Sequence, residues 1–139
     1  MDLVTESIAA GSFLEAGDAE LLAKHGVTAV LCLAKDRMQT KPPTGVEKDA
    51  WPLVDGEGNT RSDVDGALRK LDRLLGRHAR VLVHCNAGTS RSCALVAVWL
   101  ARRERLTLDQ ALARVAAKRP TQSVSPGLLD VLERALAGS

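Results

Sequence analysis

The residues best suited to chemistry lie between positions 81 and 92. An apolar run ends in His84 and Cys85, five small or polar residues follow, and then comes Arg91. This order predicts a strand, a tight loop and the N-terminus of a helix. The amide N–H groups of residues 86–91 can then surround one tetrahedral anion, to which the helix adds its positive dipole end. Gly88 permits the close backbone approach that such a loop needs.

The loop places a thiol beneath the predicted anion site and a guanidinium at its rim. Arg91, six positions after Cys85, can fold back and bind two phosphoryl oxygens with its planar fork, which a lysine cannot do. The same amides favour the thiolate of Cys85, which can attack phosphorus in line and form a phosphocysteine that water hydrolyses. We therefore predict a phosphatase with Cys85 as nucleophile. The predicted phosphate-binding residues are Asn86, Ala87, Gly88, Thr89, Ser90 and Arg91.

The composition narrows the class of protein. With 139 residues and 45% hydrophobic content, we expect a single domain, residues 1–139, with a substantial core. With no Tyr, one Phe and two Trp, nucleic-acid binding by base stacking is not expected. There is no signal-peptide pattern and no apolar run near the roughly 20 residues that cross a bilayer, so no membrane association is expected. Basic residues concentrate after residue 60, which suits an anionic substrate, although solvated helix faces give the same bias.

Three cysteines without a CxxC spacing argue against both a disulfide framework and a zinc site. Free thiols, and a thiol nucleophile in particular, suit the reducing cytoplasm. We therefore expect a cytoplasmic protein. We also expect that it uses no metal and no cofactor and that it acts as a monomer.

The rest of the chain alternates predicted strands and helices. Strands are predicted at 8–14, 27–33 and 81–83, with a further short apolar run at 50–54. Helices are predicted at 18–25, 61–77, 91–103, 107–118 and 126–137 from their caps and apolar stripes. Residues 35–48 and 55–59 are predicted to be surface loops. The alternation predicts an α/β fold with a central, largely parallel sheet flanked by helices on both faces.

The stretch His-Cys-Asn-Ala-Gly-Thr-Ser-Arg-Ser at 84–92 resembles the active-site loop of the dual-specificity protein phosphatases, within the cysteine-dependent protein tyrosine phosphatase superfamily. That loop has the form His-Cys-x-x-Gly-x-Ser-Arg-Ser. Residues 8–33 are similar to the family's first strand, helix and second strand, and Arg119-Pro120 before the last helix also follows its pattern. The resemblance implies a dual-specificity phosphatase-like fold and hydrolysis of phosphate monoesters.

The resemblance also implies a general acid. The family takes it from an Asp on a mobile loop some 30 residues before the cysteine, and Asp55 lies 30 positions before Cys85. The same carboxylate would then act as base for the attacking water. Asp63 and Asp65 are expected to cap the following helix, although either of them, or Glu57, could share the acid role.

Further roles follow from the same likeness. Ser92 is implied to donate to the Cys85 sulfur, although it could also cap the helix, and His84 is implied to support the loop. Two positions depart from the family, since Trp99 stands in place of a usual Tyr and Ser125 in place of a frequent Asn. We interpret both as structural substitutions.

The two remaining cysteines are expected to be core thiols. Cys93 lies in the predicted buried helix, and Cys32 lies near the end of a predicted strand. A reversible disulfide between Cys32 and Cys85 under oxidation stays open as an alternative.

The predicted substrate is a phosphorylated protein carrying phosphotyrosine, phosphoserine or phosphothreonine. A deep pocket for phosphotyrosine alone needs aromatic walls, which this composition can scarcely build. The alternatives are a phosphatase for a lipid, glucan or RNA 5′-phosphate, and a catalytically weak phosphate-binding module. The rim that would decide between them is expected at residues 35–48, 55–62 and 120–126.

Overall fold

A computed structural model describes residues 1–137, which form a five-stranded sheet with helices on both faces. The strands are β1 (Asp2–Leu3), β2 (Ile8–Gly11), β3 (Ala29–Cys32), β4 (Glu47–Ala50) and β5 (Val81–His84). The helices are α1 (Phe13–Ala16), α2 (Ala19–Lys24), α3 (Arg61–Leu75), α4 (Arg91–Glu104), α5 (Leu108–Lys118) and α6 (Pro126–Ala137), with a 3-10 helix at Lys35–Arg37.

The strands lie in the order β1-β2-β5-β3-β4. The pairs β2–β5, β5–β3 and β3–β4 are parallel, and only the edge strand β1 is antiparallel. This confirms the predicted α/β fold with a largely parallel sheet. The candidate phosphate loop follows β5, the central strand, at the carboxyl end of the parallel strands, where open α/β sheets bind their ligands.

Two hydrophobic clusters cover the two faces of the sheet. The larger one contains the inward faces of α3, α4, α5 and α6 together with Leu31 and Val83. The smaller one contains Ala16 and Leu22 of the first two helices together with Val30 and Leu82. Successive strand residues therefore point to opposite faces. Because α4 is buried along most of its length, the helix N-terminus after the loop is rigidly placed.

The chain after β4 runs beside the end of β3 toward α3. The Trp51 N–H donates to the Cys32 carbonyl at 3.0 Å, and the Leu53 N–H donates to the Leu33 carbonyl at 3.0 Å. Trp51 packs on Gly66 of α3, where a Cβ would lie 2.1 Å from the indole Cζ2. A residue with a side chain therefore cannot replace Gly66 without moving Trp51. These contacts fix the segment that leads into Asp55.

Two predicted boundaries were wrong. The strand predicted at 8–14 ends at Gly11, because Ser12 and Glu15 form a capping box that starts α1. Leu14, 79% exposed, lies on that short helix. The loop predicted at 35–48 contains the 3-10 helix and ends in β4, a strand of charged residues that the apolar run at 50–54 only adjoins. Charged residues are a common feature of edge strands, where they discourage pairing with other chains.

The other predicted helices and strands agree with the structure to within one or two residues at each end. Within residues 1–137, no helix is long and apolar enough to cross a lipid bilayer.

Candidate active site

The loop after β5 has its carbonyl groups turned toward the rest of the protein. The carbonyl oxygens of residues 86, 88, 89 and 90 each accept a hydrogen bond. Their donors are the Phe13 N–H at 2.9 Å, the Arg119 Nε–H at 2.6 Å, the Ser123 N–H at 2.7 Å and the Ala94 N–H at 2.8 Å.

The amide groups of the loop consequently point the other way. In a trans peptide, the C=O of one residue and the N–H of the next are antiparallel, and the chain has no cis peptide. The N–H groups of residues 87, 89, 90 and 91 therefore point away from the protein groups that bind the loop carbonyls. None of the amides of residues 86–91 donates to a protein acceptor within the described chain. The loop thus offers several unpaired donors, as an anion site requires.

Gly88 allows the loop to lie against β2. Its φ angle is +76°, and a Cβ there would lie 2.4 Å from the Gly11 carbonyl carbon and oxygen. Both the left-handed backbone and the lack of space exclude a side chain. Replacing Gly88 would therefore push the loop away from the sheet.

Ser90 occupies the N-cap position of α4 but makes no side-chain cap. A serine there commonly accepts from one of the first helix amides. Its hydroxyl is engaged elsewhere, so the N-terminal amides and the dipole of α4 stay available to an anion.

Arg91 begins α4 and is half-buried. Its Nη1 donates to the Leu53 carbonyl at 3.3 Å, which ties α4 to the segment before Asp55. Its Nε is buried and has no hydrogen-bond partner within residues 1–137. A buried guanidinium donor without a partner is costly, and a phosphoryl oxygen would satisfy it.

Cys85 lies at the base of the loop and is 2% exposed. Its Sγ lies 3.5 Å from the Oγ of Ser92, which is fully buried on the first turn of α4. The two side chains are thus in contact, and donation from the Ser92 hydroxyl to the sulfur stays a prediction.

Asp55 is brought to the loop although it lies 30 positions earlier. Its Oδ1 accepts from the Ser90 hydroxyl at 2.5 Å and from the Ser125 hydroxyl at 3.1 Å. Ser125, which we had interpreted as a structural substitution, therefore contacts the candidate acid directly.

The alternative acids are engaged or placed elsewhere. Asp63 forms a capping box with Thr60, as expected of a capping residue. Asp65 does not cap; it pairs with Arg102 at 2.8 Å. Glu57 is exposed and lines a cleft beside α6. Among the four predicted acids, Asp55 is the one that hydrogen-bonds to the phosphate loop.

Residues 10–135 match the family described as dual specificity phosphatase, catalytic domain. The chain belongs to this family. Dual specificity protein phosphatase 1 of Arabidopsis thaliana is 29% identical over 131 residues, covering 94% of this chain and 66% of the plant protein. Dual specificity protein phosphatase 19 of Mus musculus is 34% identical over 122 residues, covering 88% of this chain and 56% of the mouse protein. The crystal structure of human DUSP28 has a TM-score of 0.84 at 27% identity, and 99% of each chain is covered.

The two curated relatives are longer than this dual-specificity phosphatase chain, which spans about two thirds of one and about half of the other. The matched residues nevertheless include the whole loop and Asp55. The family match and the relatives support a cysteine-dependent phosphatase catalytic domain.

Asn59 was not predicted as a functional residue of this phosphatase domain. It is buried, and its side chain accepts from the Val54 N–H at 2.8 Å and donates to the Val54 carbonyl at 2.7 Å. Both backbone groups of the residue before Asp55 are thereby fixed. Asn commonly bonds to nearby backbone in glycine-rich loops, and that local signal could have identified it.

Arg119 was noted in the sequence only as part of a family pattern. It is buried, its Nε donates to the Gly88 carbonyl, and its guanidinium pairs with Asp2 at 2.9 Å and Glu15 at 3.6 Å. This residue anchors the phosphatase loop from the outside. Its role depends on contacts across the fold that sequence spacing does not reveal.

The segment at 35–37 forms another part of the rim. Asn86 receives a hydrogen bond from the Arg37 Nε at 3.1 Å and donates to Asp36 at 3.2 Å. The bond from Asn86 lowers the pKa of Asp36. The side chain of Asn86 is therefore engaged with the rim segment at 36–37.

Cys32 and Cys85 lie on opposite faces of the sheet. Leu31 pairs with Val83 in register and both point into the larger cluster, which also contains Cys85. Cys32, one residue along, points to the other face. A disulfide between these cysteines would therefore require the chain to rearrange. Burial raises the pKa of Cys32, and it raises the pKa of Cys93 to about 11, so both remain thiols at neutral pH.

His84 ends β5 and is buried, with its Nδ1 3.2 Å from the Cys85 carbonyl oxygen. Burial lowers the pKa of His84 from 6.5 to about 4. The imidazole is therefore neutral near pH 7, and its Nδ1–H donates to that carbonyl, which can only accept. This arrangement fits a supporting role at the base of the loop.

The low pKa of His84 makes stability depend on pH. Between pH 6.5 and about 4, the unfolded chain binds a proton on His84 that the folded chain does not, so the free energy of unfolding falls as the pH is lowered. The full effect is about 3 kcal/mol. We expect His84→Gln to remove this component and His25→Gln to retain it, as measured by urea unfolding across this range. A difference between wild type and His84→Gln that stays constant with pH would contradict the assignment.

Proposed function

We propose that this protein hydrolyses phosphate monoesters through a phosphocysteine on Cys85. The observation that carries the proposal is the orientation of the loop, whose carbonyls at residues 86, 88, 89 and 90 are bonded outward, so that unpaired amides remain for an anion beside the thiol. These amides stabilise the thiolate and the equatorial phosphoryl oxygens alike. Arg91, with a buried unpartnered Nε, completes the oxyanion contacts.

The first chemical step forms the S–P bond and breaks the ester P–O bond. The thiolate of Cys85 attacks phosphorus in line, and the electron pair of the broken bond stays on the leaving oxygen. Asp55, held at the edge of the loop by Ser90 and Ser125, gives that oxygen its proton.

The second step hydrolyses the phosphocysteine. Water attacks phosphorus, the Asp55 carboxylate takes its proton, and the S–P bond breaks to regenerate the thiolate. The Ser92 hydroxyl, 3.5 Å from the sulfur, donates to the departing thiolate and lowers the cost of its release. The sequence of steps uses no metal or cofactor.

We propose phosphorylated proteins as the substrates, with phosphotyrosine, phosphoserine and phosphothreonine all accepted. The placement of the aromatic side chains supports this breadth. Trp51 packs on Gly66 and Trp99 donates to Asp72 at 3.1 Å, so both are engaged at α3. Phe13 lies beneath the Arg37 guanidinium at 3.9 Å. A phosphotyrosine ring would therefore find no pair of aromatic walls.

We further propose that the protein is a monomer in the reducing cytoplasm, where its buried thiols stay free.

The test combines a substrate panel with a trapped intermediate. Purified protein is mixed with p-nitrophenyl phosphate and quenched in acid within milliseconds, and mass spectrometry should find one added phosphoryl group on the peptide containing Cys85. Phosphopeptides with each phosphoresidue, phosphoinositide vesicles, phosphoglucan and 5′-phosphorylated RNA are then compared by kcat/KM. Phosphopeptides should be the best substrates. Binding of vanadate without any turnover would instead indicate a phosphate-binding module, and a preference for a non-protein ester would overturn the substrate assignment.

A further inference from the structure

Two hydroxyl groups from distant parts of the chain meet at one oxygen of Asp55. The Ser90 Oγ lies 2.5 Å and the Ser125 Oγ lies 3.1 Å from Oδ1. The Ser125 N–H also donates to the Ser90 Oγ at 3.2 Å. The directions are fixed, because a carboxylate oxygen can only accept and each hydroxyl has one proton to donate. The three residues form a closed ring of hydrogen bonds.

We propose that Ser125 is a positioning residue for Asp55, an inference that rests on the proposed role of Asp55 as general acid. Both donors go to Oδ1, and no hydrogen bond within residues 1–137 goes to Oδ2. A proton on the carboxyl group is therefore favoured on Oδ2, because the lone pairs of Oδ1 are already used. Ser125 thus determines which oxygen carries the proton to the leaving group.

The exposed position of Asp55 explains why such a restraint matters. An exposed carboxylate rotates freely, and general acid catalysis is efficient only when the proton is held within reach of the reacting oxygen. Asn59 fixes the backbone at Val54, one residue earlier, but leaves the side-chain torsions of Asp55 free. The two serine hydroxyls supply the missing restraint.

Ser125 is itself held in place. Two residues earlier, the Ser123 N–H donates to the Thr89 carbonyl at 2.7 Å, and the Leu128 and Leu129 N–H groups donate to the Ser125 carbonyl at 3.0 and 3.1 Å. Leu128 is fully buried. The hydroxyl is therefore presented from a rigid support between the phosphate loop and α6, as a positioning contact requires.

We expect Ser125→Ala to slow hydrolysis selectively for esters with poor leaving groups. For phenyl phosphate, kcat/KM should fall about tenfold, a part of the roughly 10²–10⁴-fold that general acid catalysis contributes. For p-nitrophenyl phosphate, whose leaving oxygen needs little protonation, kcat/KM should fall less than about threefold, because kcat/KM reports the step that breaks the P–O bond and not the later hydrolysis of the phosphocysteine. The affinity for tungstate should stay constant, because Ser125 contacts Asp55 and the Ser90 hydroxyl but not the amides that bind phosphate. Ser125→Thr, which keeps the hydroxyl, should restore the phenyl phosphate rate.

A double-mutant cycle separates positioning from a general structural effect. In an Asp55→Asn background, Ser125→Ala should cause no further loss on phenyl phosphate, because the group it positions is gone. The control is Glu133→Ala, an exposed residue of α6 outside the phosphate loop and its rim, which should behave as wild type.

The proposal is overturned if Ser125→Ala lowers kcat/KM equally for both esters, weakens tungstate binding, or adds its full effect to Asp55→Asn. An impaired Asp55→Asn beside an unimpaired Ser125→Ala would overturn this proposal alone. An Asp55→Asn variant as active as wild type on phenyl phosphate would overturn the acid assignment together with it. A wild type that never turns over would overturn the proposed function itself.

Discussion

Replacing Cys85 with serine is expected to lower kcat for p-nitrophenyl phosphate by on the order of 10⁴-fold or more. The serine hydroxyl remains protonated at neutral pH, and the unpaired amides of the loop cannot stabilise its anion as readily as they stabilise a thiolate. It is also a poorer leaving group from phosphorus, so any phosphoenzyme that formed would persist. The measurement is steady-state hydrolysis together with acid-quench mass spectrometry.

The anion site itself should survive this change. The outward carbonyl bonds that orient the loop, and the Arg91 guanidinium, do not depend on the sulfur. Cys85→Ser should therefore still bind tungstate in calorimetry. The control is Cys32→Ser, because Cys32 Sγ donates to the Ala34 carbonyl at 3.4 Å and a hydroxyl can make the same bond on the far face of the sheet. Robust turnover by Cys85→Ser without added metal would rule out the phosphocysteine mechanism.

The order of secondary structure was predictable because most of its signals are local. Thr107 with Gln110 forms the capping box that starts α5, and Pro126 begins α6, as their positions in the sequence indicated. By contrast, β4 is mostly charged and shows no alternation of apolar and polar residues, so its sequence does not indicate a strand. It forms because its backbone pairs with the free edge of β3, a contact between distant parts of the chain. The four-residue helix α1 is too short for a periodic pattern and depends on the cap at Ser12.

The residues of the candidate site likewise fall into two groups, those predictable from local sequence and those placed by contacts between distant segments. Cys85, Arg91 and Ser92 lie within eight residues, so their relation to a strand, a loop and a helix could be predicted from spacing. Asp55 was predicted as the acid through the family resemblance. The contact of Ser125 with Asp55 joins residues 70 positions apart and could not be predicted. Such contacts depend on how α6 packs against the phosphate loop, which no local pattern specifies.

Arg91→Lys is expected to reduce kcat/KM for every phosphate ester by about 10³-fold, comparable to the loss when other phosphoryl-transfer enzymes lose their arginine. The planar fork of arginine can bind two phosphoryl oxygens while Nη1 holds the Leu53 carbonyl at 3.3 Å. A lysine ammonium is a point charge on a flexible stem and cannot make both sets of bonds. The unpartnered Nε, buried beside the loop, would also be lost.

The same substitution at Arg103 provides the control. Arg103 is exposed near the end of α4, with its guanidinium 5.2 Å from the Trp99 ring, so Arg103→Lys keeps the charge of the helix and leaves the loop unchanged. Steady-state kinetics and tungstate calorimetry on both variants then distinguish the effect of losing the planar guanidinium at position 91 from the effect of an Arg-to-Lys change that keeps the positive charge. If charge alone sufficed, Arg91→Lys would bind and turn over like Arg103→Lys, which would contradict the proposed bidentate contact. A loss in kcat larger than the loss in tungstate affinity is expected, because the fork acts most strongly on the charge that develops in the transition state.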